Sequence, residues 1–468
     1  MTTRSICIYF FIFFFTCFDI FCVNGPARGS ETLFEYSGSI DLDSIHILDL
    51  KTARKIAIEG NPSLAAAEER VRQAGQRLIQ ARSAYWPQLS VTGSGTRSIM
   101  SENDYRSSLA STSIGSMDDR IDTYRSGLSA TWTLFNGFER EFSEMSARHG
   151  ADESRQAKRE TLRLLLSSVS ASYYNAQLAR ESITIAEANE AYNERQLREA
   201  EARYRVGTGS LSDVLNFKVQ INSAKADLIQ AKQEYEIALY GLAALMGMPD
   251  SKFPSHMELH RFEPETQDEL ISPDPEGLIQ YALDHRPDML QNDYQLKQME
   301  ANVGSARAGF YPTISLSGSI DGDKTGSTEF EREDFGKTIG LSLTYKLFAG
   351  GYNRAKLREA KSGLKEAERN LESARISIKS EVESAILALK SAQEQLSLQR
   401  SNAELVLKTR DLVEKEYAAG QVSLVRLNEA QRDLVTAQSR LALSLVSLRQ
   451  AWENLKASTA QVLESSIF

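Results

Sequence analysis

Hydrophobic and polar positions along the chain follow two periods, and each period occurs twice. From about 139 to 206, and again from 352 to 419, no proline interrupts a run dominated by Ala, Glu, Lys, Arg, Leu and Gln. At ~1.5 Å rise per residue, each run predicts a helix on the order of 100 Å long. A soluble helix of that length frays unless a stripe along it is buried. The second run carries such a stripe in Ile378, Val382, Ala385, Leu389, Ala392 and Leu396, a heptad seam whose alanines permit close helix approach. An ordinary two-stranded coiled coil explains the same seam. Shorter helices are predicted at 62–84 and 211–245. Their lengths together nearly match one long helix, so stacked end to end they would pack alongside it.

The second period is two. After Pro87, Leu89 and Val91 alternate with Ser90 and Thr92; before Gly137, Leu128, Ala130, Trp132 and Leu134 alternate with Ser129, Thr131 and Thr133. The pattern returns after Pro312, with Ile314 and Leu316 against Thr313, Ser315 and Ser317. It returns again with Ile339, Leu341, Leu343, Tyr345 and Leu347 against Gly340, Ser342, Thr344 and Lys346. One apolar face and one small polar face over roughly ten residues is what a transmembrane β-barrel strand requires. A half-buried soluble hairpin alternates in the same way. Here the polar face is almost only Ser, Thr and Gly, without the charges usual on a solvated sheet. Pro87 and Pro312 stop the preceding helices, and Tyr85, Trp86, Phe310 and Tyr311 supply aromatics for a membrane interface.

These recurrences are one tandem duplication. "NPSLAAAEERVRQAGQRLIQARSAYWPQLS" from Asn61 aligns without gaps to "RPDMLQNDYQLKQMEANVGSARAGFYPTIS" from Arg286. "LSATWTLFNG" pairs with "LSLTYKLFAG", and "ARYRVGTGSL" with "KEYAAGQVSL". Gly137 lies as far from Gly207 as Gly350 does from Gly420. The predicted organisation is a leader (1–27), an N-terminal segment (28–60), a first repeat (61–245), a proline-rich segment (246–285), a second repeat (286–457) and a tail (458–468). Within the repeats, strands are expected near 87–95, 124–136, 312–320 and 338–348, and return helices at 211–245 and 424–457. Four strands per chain cannot close a barrel, and open edges are not tolerated in lipid. Three chains together would supply twelve strands, with a ring of helices continuing beneath.

Composition narrows the class. The 468 residues are 25% charged and 41% hydrophobic, which fits neither a disordered chain nor a helical membrane bundle. A formal charge of −9 argues against non-specific nucleic-acid binding. Arg4, the apolar run "ICIYFFIFFFTCF" and the small residues Gly25-Pro26-Ala27 form an export leader with cleavage near Ala27. A permanent anchor is the competing reading, but the run is interrupted by Asp19 and is short for a bilayer. Cys7, Cys17 and Cys22 all fall in this segment, so the mature chain is expected to carry no disulfide or thiolate metal site. The residues before Cys22 are not the small ones that precede a lipidated cysteine. The mature chain also has no methionine cluster, which argues against soft-metal cargo.

With these features assembled, the chain resembles the TolC-type outer-membrane efflux and secretion channels. The resemblance rests on the duplication, the aromatic–Pro strand starts, the "LFNG" and "LFAG" strand exits, and the turns "YRVGTGSLSDVLN" and "YAAGQVSLVRLNEAQ". It implies a mainly α protein with a transmembrane β-barrel. In such a protein an internally duplicated protomer of four strands and long helices forms a homotrimer with a 12-stranded barrel, a periplasmic α-helical tunnel and an equatorial belt to which the proline-rich segment near 249–275 and the N-terminal stretch before Asn61 would contribute. It implies a passive exit duct in outer-membrane lipid, docked by a periplasmic adaptor and served by an inner-membrane ABC or proton-driven transporter, with no cofactor and no enzymatic step. The adaptor-docking tip would be Gly207, Thr208, Ser210 and Leu211 with Gly420, Val422, Ser423 and Leu424. The periplasmic gate would draw on Asp213, Tyr417, Arg426 and Glu429. Arg426 departs from the family, standing where an acidic residue is often found, and a ring of three Asp213 facing Arg426 is one arrangement that would hold the end shut. An ordinary solvated helix face accounts for the same charges.

Other signals carry less. His256 and His260 in "HMELH" lie among prolines without a third ligand, and "GTG" lacks the preceding strand of a phosphate loop. No Ser/His/Asp cluster or paired carboxylates point to catalysis. The acidic stretch 321–337 reads as an extracellular loop. The rival from another class is an exported soluble coiled-coil structural or adaptor protein with a small β-domain.

Overall fold

A computed structural model describes residues 45–111, 119–254, 256–260, 263–266, 268–270 and 273–464. The expected leader and the end of the tail lie outside the described residues. The first repeat runs β1 (Ile47–Leu48), α1 (Leu50–Gly60), α2 (Pro62–Ser83), β2 (Gln88–Ile99), α3 (Glu102–Ser111), β3 (Arg120–Phe135), α4 (Glu139–Arg205) and α5 (Leu211–Leu245). The second runs β4 (Glu258–Leu259), α6 (Pro275–His285), α7 (Pro287–Ala308), β5 (Thr313–Thr325), β6 (Phe335–Thr344), α8 (Tyr352–Ala418) and α9 (Leu424–Ser458).

The duplication extends to helix lengths. α1 and α6 have 11 residues each, α2 and α7 have 22, α4 and α8 have 67, and α5 and α9 have 35. Each repeat therefore begins one helix earlier than Asn61 or Arg286. Both junctions place proline at the first helical turn, where its missing N–H costs nothing. Asn61 caps its helix through Ser63 N at 2.9 Å. Arg286 instead turns inward, donating to Asp288, to Glu381 at 2.8 Å and to the Ser458 carbonyl at 2.9 Å.

α2 and α5 both pack along α4, and α7 and α9 both pack along α8, as the summed lengths required. α7 and α9 also contact α4, which ties the repeats together. All six residues of the predicted α8 seam are buried. Ala385, Leu389, Ala392 and Leu396 meet Leu448 and Leu455 of α9. Ile378 and Val382 meet Ala282 of α6 and Met289 of α7.

Midway along the helices lies a belt that the hydrophobic pattern did not reveal. β1 and β4 pair in parallel, Leu48 opposite Leu259, and Tyr173 of α4 donates to the Leu48 carbonyl at 3.1 Å. Three buried arginines surround the end of α9. Arg54 holds Ser170 and Glu453, Arg163 donates to the Ala457 carbonyl at 2.8 Å, and Arg286 reaches Ser458. The two carbonyls are among those a helix C-terminus leaves unsatisfied.

The four long strands form one antiparallel sheet in the order β2-β3-β5-β6, so β3–β5 joins the repeats and β2 and β6 are unpaired edges. Register puts Leu89, Ala130, Gly318 and Ile339 in one row, and Trp132, Leu316 and Leu341 in another, all on the same face. The opposite face carries Ser90, Ser129, Ser319 and Thr338, with Ser90–Ser129 hydroxyls 2.7 Å apart and Ser315–Ser342 hydroxyls 2.8 Å apart. Among the described residues, the ion pairs of the sheet lie towards its α3 end: Arg97–Asp122, Arg120–Asp119, Arg125–Asp323 and Lys324–Asp334. The strands differ in extent from expectation. β2, β3 and β5 run several residues further into charged and glycine positions, so 321–325 is strand rather than loop. β6 ends at Thr344, leaving Tyr345, Leu347 and Phe348 exposed beyond the ladder. Among the described residues, no helix is long and apolar enough to cross a membrane.

Candidate gate and docking tip

At the far end from the sheet, each long helix turns into its return helix through the same backbone device. Gly207 and Gly420 adopt φ of +77° and +73°, a region L side chains seldom enter. The N–H of Thr208 bonds to the Arg203 carbonyl at 2.9 Å and that of Gly207 to Tyr204 at 3.0 Å. In the second turn Gln421 bonds to Glu416 at 2.9 Å and Gly420 to Tyr417 at 3.0 Å. Both are Schellman closures. Ser210 and Ser423 then cap α5 and α9, accepting from Ser212 N and Arg426 N.

Behind the turns the two hairpins, α4–α5 and α8–α9, share an apolar cluster of Ala200, Val214, Phe217, Val413, Leu427 and Ala430. Val422 and Leu424, expected on the docking surface, are half-buried against this cluster. Gly207, Thr208, Ser210, Leu211, Gly420 and Ser423 are exposed. Sequence reasoning missed Val206 and Val425, each 74% exposed, which make the tip more apolar than the turn residues alone. Val206 stands just past the end of α4 and Val425 in the first turn of α9, and a valine beside a capped helix end was the available signal.

Of the expected gate residues, Asp213 and Tyr417 are brought together. The Tyr417 hydroxyl donates to Asp213 Oδ2 at 3.3 Å, linking α8 to α5, and the Arg203 guanidinium lies over the tyrosine ring at 5.7 Å. Burial and the neighbouring Asp213 carboxylate push the Tyr417 hydroxyl above its ordinary pKa, so it stays a proton donor. Arg426 does not meet Asp213 within the chain; it pairs with Glu429 one turn on, at 2.8 Å. Asn428 and Asn216 add a second cross-hairpin bond at 2.8 Å. At the opposite end of the molecule, Trp86, Phe310 and Tyr311 are exposed at the strand starts, while Tyr85 is half-buried beneath the Arg140 guanidinium. Phe138 and Phe348, exposed at the strand exits, join this aromatic level. Among the described residues, no cluster of His, Cys, Asp and Glu fit for a metal ion occurs.

Comparison with known proteins places this geometry. The family model described as outer membrane efflux protein matches residues 53–248 and 278–461. The pyoverdine export outer membrane protein of Pseudomonas aeruginosa is 26% identical over 392 residues, covering 83% of this chain and 80% of that one. The cation efflux system protein CusC of Escherichia coli K12 is 26% identical over 399 residues, covering 84% and 82%. Among solved structures, the CmeC outer membrane channel of Campylobacter jejuni superposes with a TM-score of 0.76 at 19% identity, covering 89% of each chain. The open state of the MtrE outer membrane channel of Neisseria gonorrhoeae superposes at 0.70 with 22% identity, covering 90% and 92%. The likeness to the two solved structures is one of fold.

Proposed function

This chain belongs to the outer membrane efflux protein family, and from that premise we propose that three copies close one barrel, with a gate at Asp213–Tyr417 and an adaptor-docking surface at the two glycine turns. The protein is an outer-membrane efflux channel. The observation that carries the trimer is the sheet itself: four strands, two unpaired edges and a continuous apolar face. In lipid such edges must pair, and the neighbours able to supply matching edges are further copies. The helices make the same demand. Ile376, Leu387, Leu398, Leu405 and Leu412 fall every two or three turns along α8, on the side opposite its buried seam, and all are more than half exposed. The hydroxyl face then lines a neutral lumen, and Tyr85, Trp86, Phe310 and Tyr311 mark the periplasmic membrane boundary.

The exposed Val206, Leu211 and Val425 offer apolar contact to a periplasmic adaptor, with the Schellman turns fixing their presentation. The named relatives export different cargo, pyoverdine in one case and cations in another. Cargo choice accordingly lies with the inner-membrane transporter, and the duct itself is passive. Light scattering of the detergent-solubilised protein tests the assembly: a mass of three chains supports it, and a single chain contradicts it.

A further inference from the structure

The register of the sheet assigns each of its charges to the apolar or to the hydroxyl face. Arg97, Asp122 and Lys324 continue the apolar face. On the hydroxyl face β2 carries no charge from Gln88 to Ser98, and β3 carries Arg125. β5 adds Asp321 and Asp323 there, and β6 adds none from Gly336 to Thr344. Lys346, just past the end of β6, keeps the alternation of Ser342 and Thr344. Arg125 and Asp323 pair at 2.8 Å and offset each other. Asp321 and Lys346 are exposed, and neither makes an ion pair among the described residues. The Asp321 carboxylate lies across the lumen side of β3, since a Cβ added at Gly127 would come within 2.5 Å of its Oδ1 and 3.3 Å of Thr92 Oγ1. Glycine at 127 is what leaves room for that charge against the wall.

The two unpaired charges stand at opposite ends of the barrel. Asp321 is opposite Gly336 of β6, and from Gly336 to Lys346 a strand tilted by about 40° advances roughly 25 Å along the axis. Between those levels the face carries hydroxyls, glycine and Gln88. Three copies turn each charge into a ring, so this inference rests on the channel reading. Twelve strands at that tilt place the wall about 12 Å from the axis. That is close to the Debye length of about 10 Å in 0.1 M salt, so each ring sets the potential across its own level. We propose that the barrel lumen is bipolar, with a ring of Asp321 at the outer mouth, a ring of Lys346 at the base and an uncharged waist between them. A small ion of either sign entering from outside then meets one ring that repels it. The rings raise the barrier to leakage for both signs without narrowing the duct.

The test reads the sign of the potential at each level with a thiol. Ser319→Cys lies beside Asp321 and Thr344→Cys beside Lys346, both on the lumen face. Each is made in the mature protein, which is expected to hold no other cysteine, and unheated electrophoresis shows that it assembles. The assembled protein in detergent is treated with a cationic and an anionic methanethiosulfonate of equal size, and the ratio of the two rates removes the thiol's own reactivity. In 0.1 M salt, three unit charges roughly 10 Å away give about a fivefold preference. It favours the cationic reagent at 319 and the anionic reagent at 344. Both ratios fall towards one in 1 M salt, where the Debye length is about 3 Å. Asp321→Asn abolishes the first preference and leaves the second, and Lys346→Gln does the reverse. Preferences of one sign at both levels, or ratios that ignore these two substitutions, overturn the bipolar lumen. If the same protein gives single-channel steps in a planar bilayer, only the rings are lost; if it gives none, the channel reading falls and the rings with it.

Discussion

Tyr417 and Asp213 come from different repeats, and their 3.3 Å bond depends on a single proton, as would the gate proposed there. Burial and Asp213 hold the hydroxyl pKa above its ordinary value of 10.0. The bond is therefore fully present below pH 10 and is lost as pH rises through the elevated value. Open fraction is expected to stay flat from neutral pH up to about pH 10 and to climb beyond it. Tyr417→Phe abolishes that climb and raises conductance at neutral pH, as does charge reversal at Asp213; an unchanged trace from either removes the pair from the gate. Asp288 has the opposite sign. Burial opposes its ionisation, but the Arg286 bond and charge, with Arg163, hold its carboxyl below the ordinary 3.8. Its contribution to the belt is present above that value and fades as pH falls below it. The positions of Asp213 and Tyr417 were legible through the resemblance of the two turn motifs, and the fold brings the two side chains together. The belt arginines were not: an arginine in an alanine- and glutamate-rich helix carries the pattern of a solvated face, and only the fold shows that Arg54, Arg163 and Arg286 point inward. Arg426, expected to face a ring of three Asp213, pairs within its own chain with Glu429 one turn away on the same helix.

At the scale of elements, helices were the most legible features, since a proline-free heptad run over many turns has few alternative structures. The seam residue Leu389 is fully buried between α8 and α9. Leu389→Ala is expected to cost roughly 2–5 kcal/mol, read as a lower temperature for conversion of the assembled to the monomeric band. Leu387→Ala, on the exposed side of the same helix, tests the interface between copies instead. Strand ends were less legible, because alternation disappears where Asp321, Asp323 and Lys324 continue the ladder by register alone. The two-residue β1–β4 pair is too short to have any period. In the tip turns, a Cβ added at Gly207 or Gly420 meets nothing within 4 Å. Gly207→Ala and Gly420→Ala therefore act through backbone strain, on the order of 1 kcal/mol each. Weaker adaptor binding with an intact barrel is the expected readout, and unaltered binding would place docking elsewhere.

For the whole molecule, a barrel in lipid requires that the two faces of the sheet meet different media. Leu341 and Ser342 are adjacent on β6 and point to opposite faces. Leu341→Arg sets a charge against hydrocarbon at a cost of about 2–4 kcal/mol near the bilayer midplane and should abolish insertion, whereas Ser342→Arg faces water and should be tolerated. Equal tolerance of both would return the sheet to the soluble hairpin that alternation alone permits. The most direct test of the central claim is the conductance of the purified mature protein in a planar lipid bilayer. A membrane-inserted and mostly shut duct gives small, resolvable single-channel steps from a particle the size of three chains. A protein that stays soluble without detergent, neither inserts nor conducts, and runs as a single chain would contradict the account at its foundation.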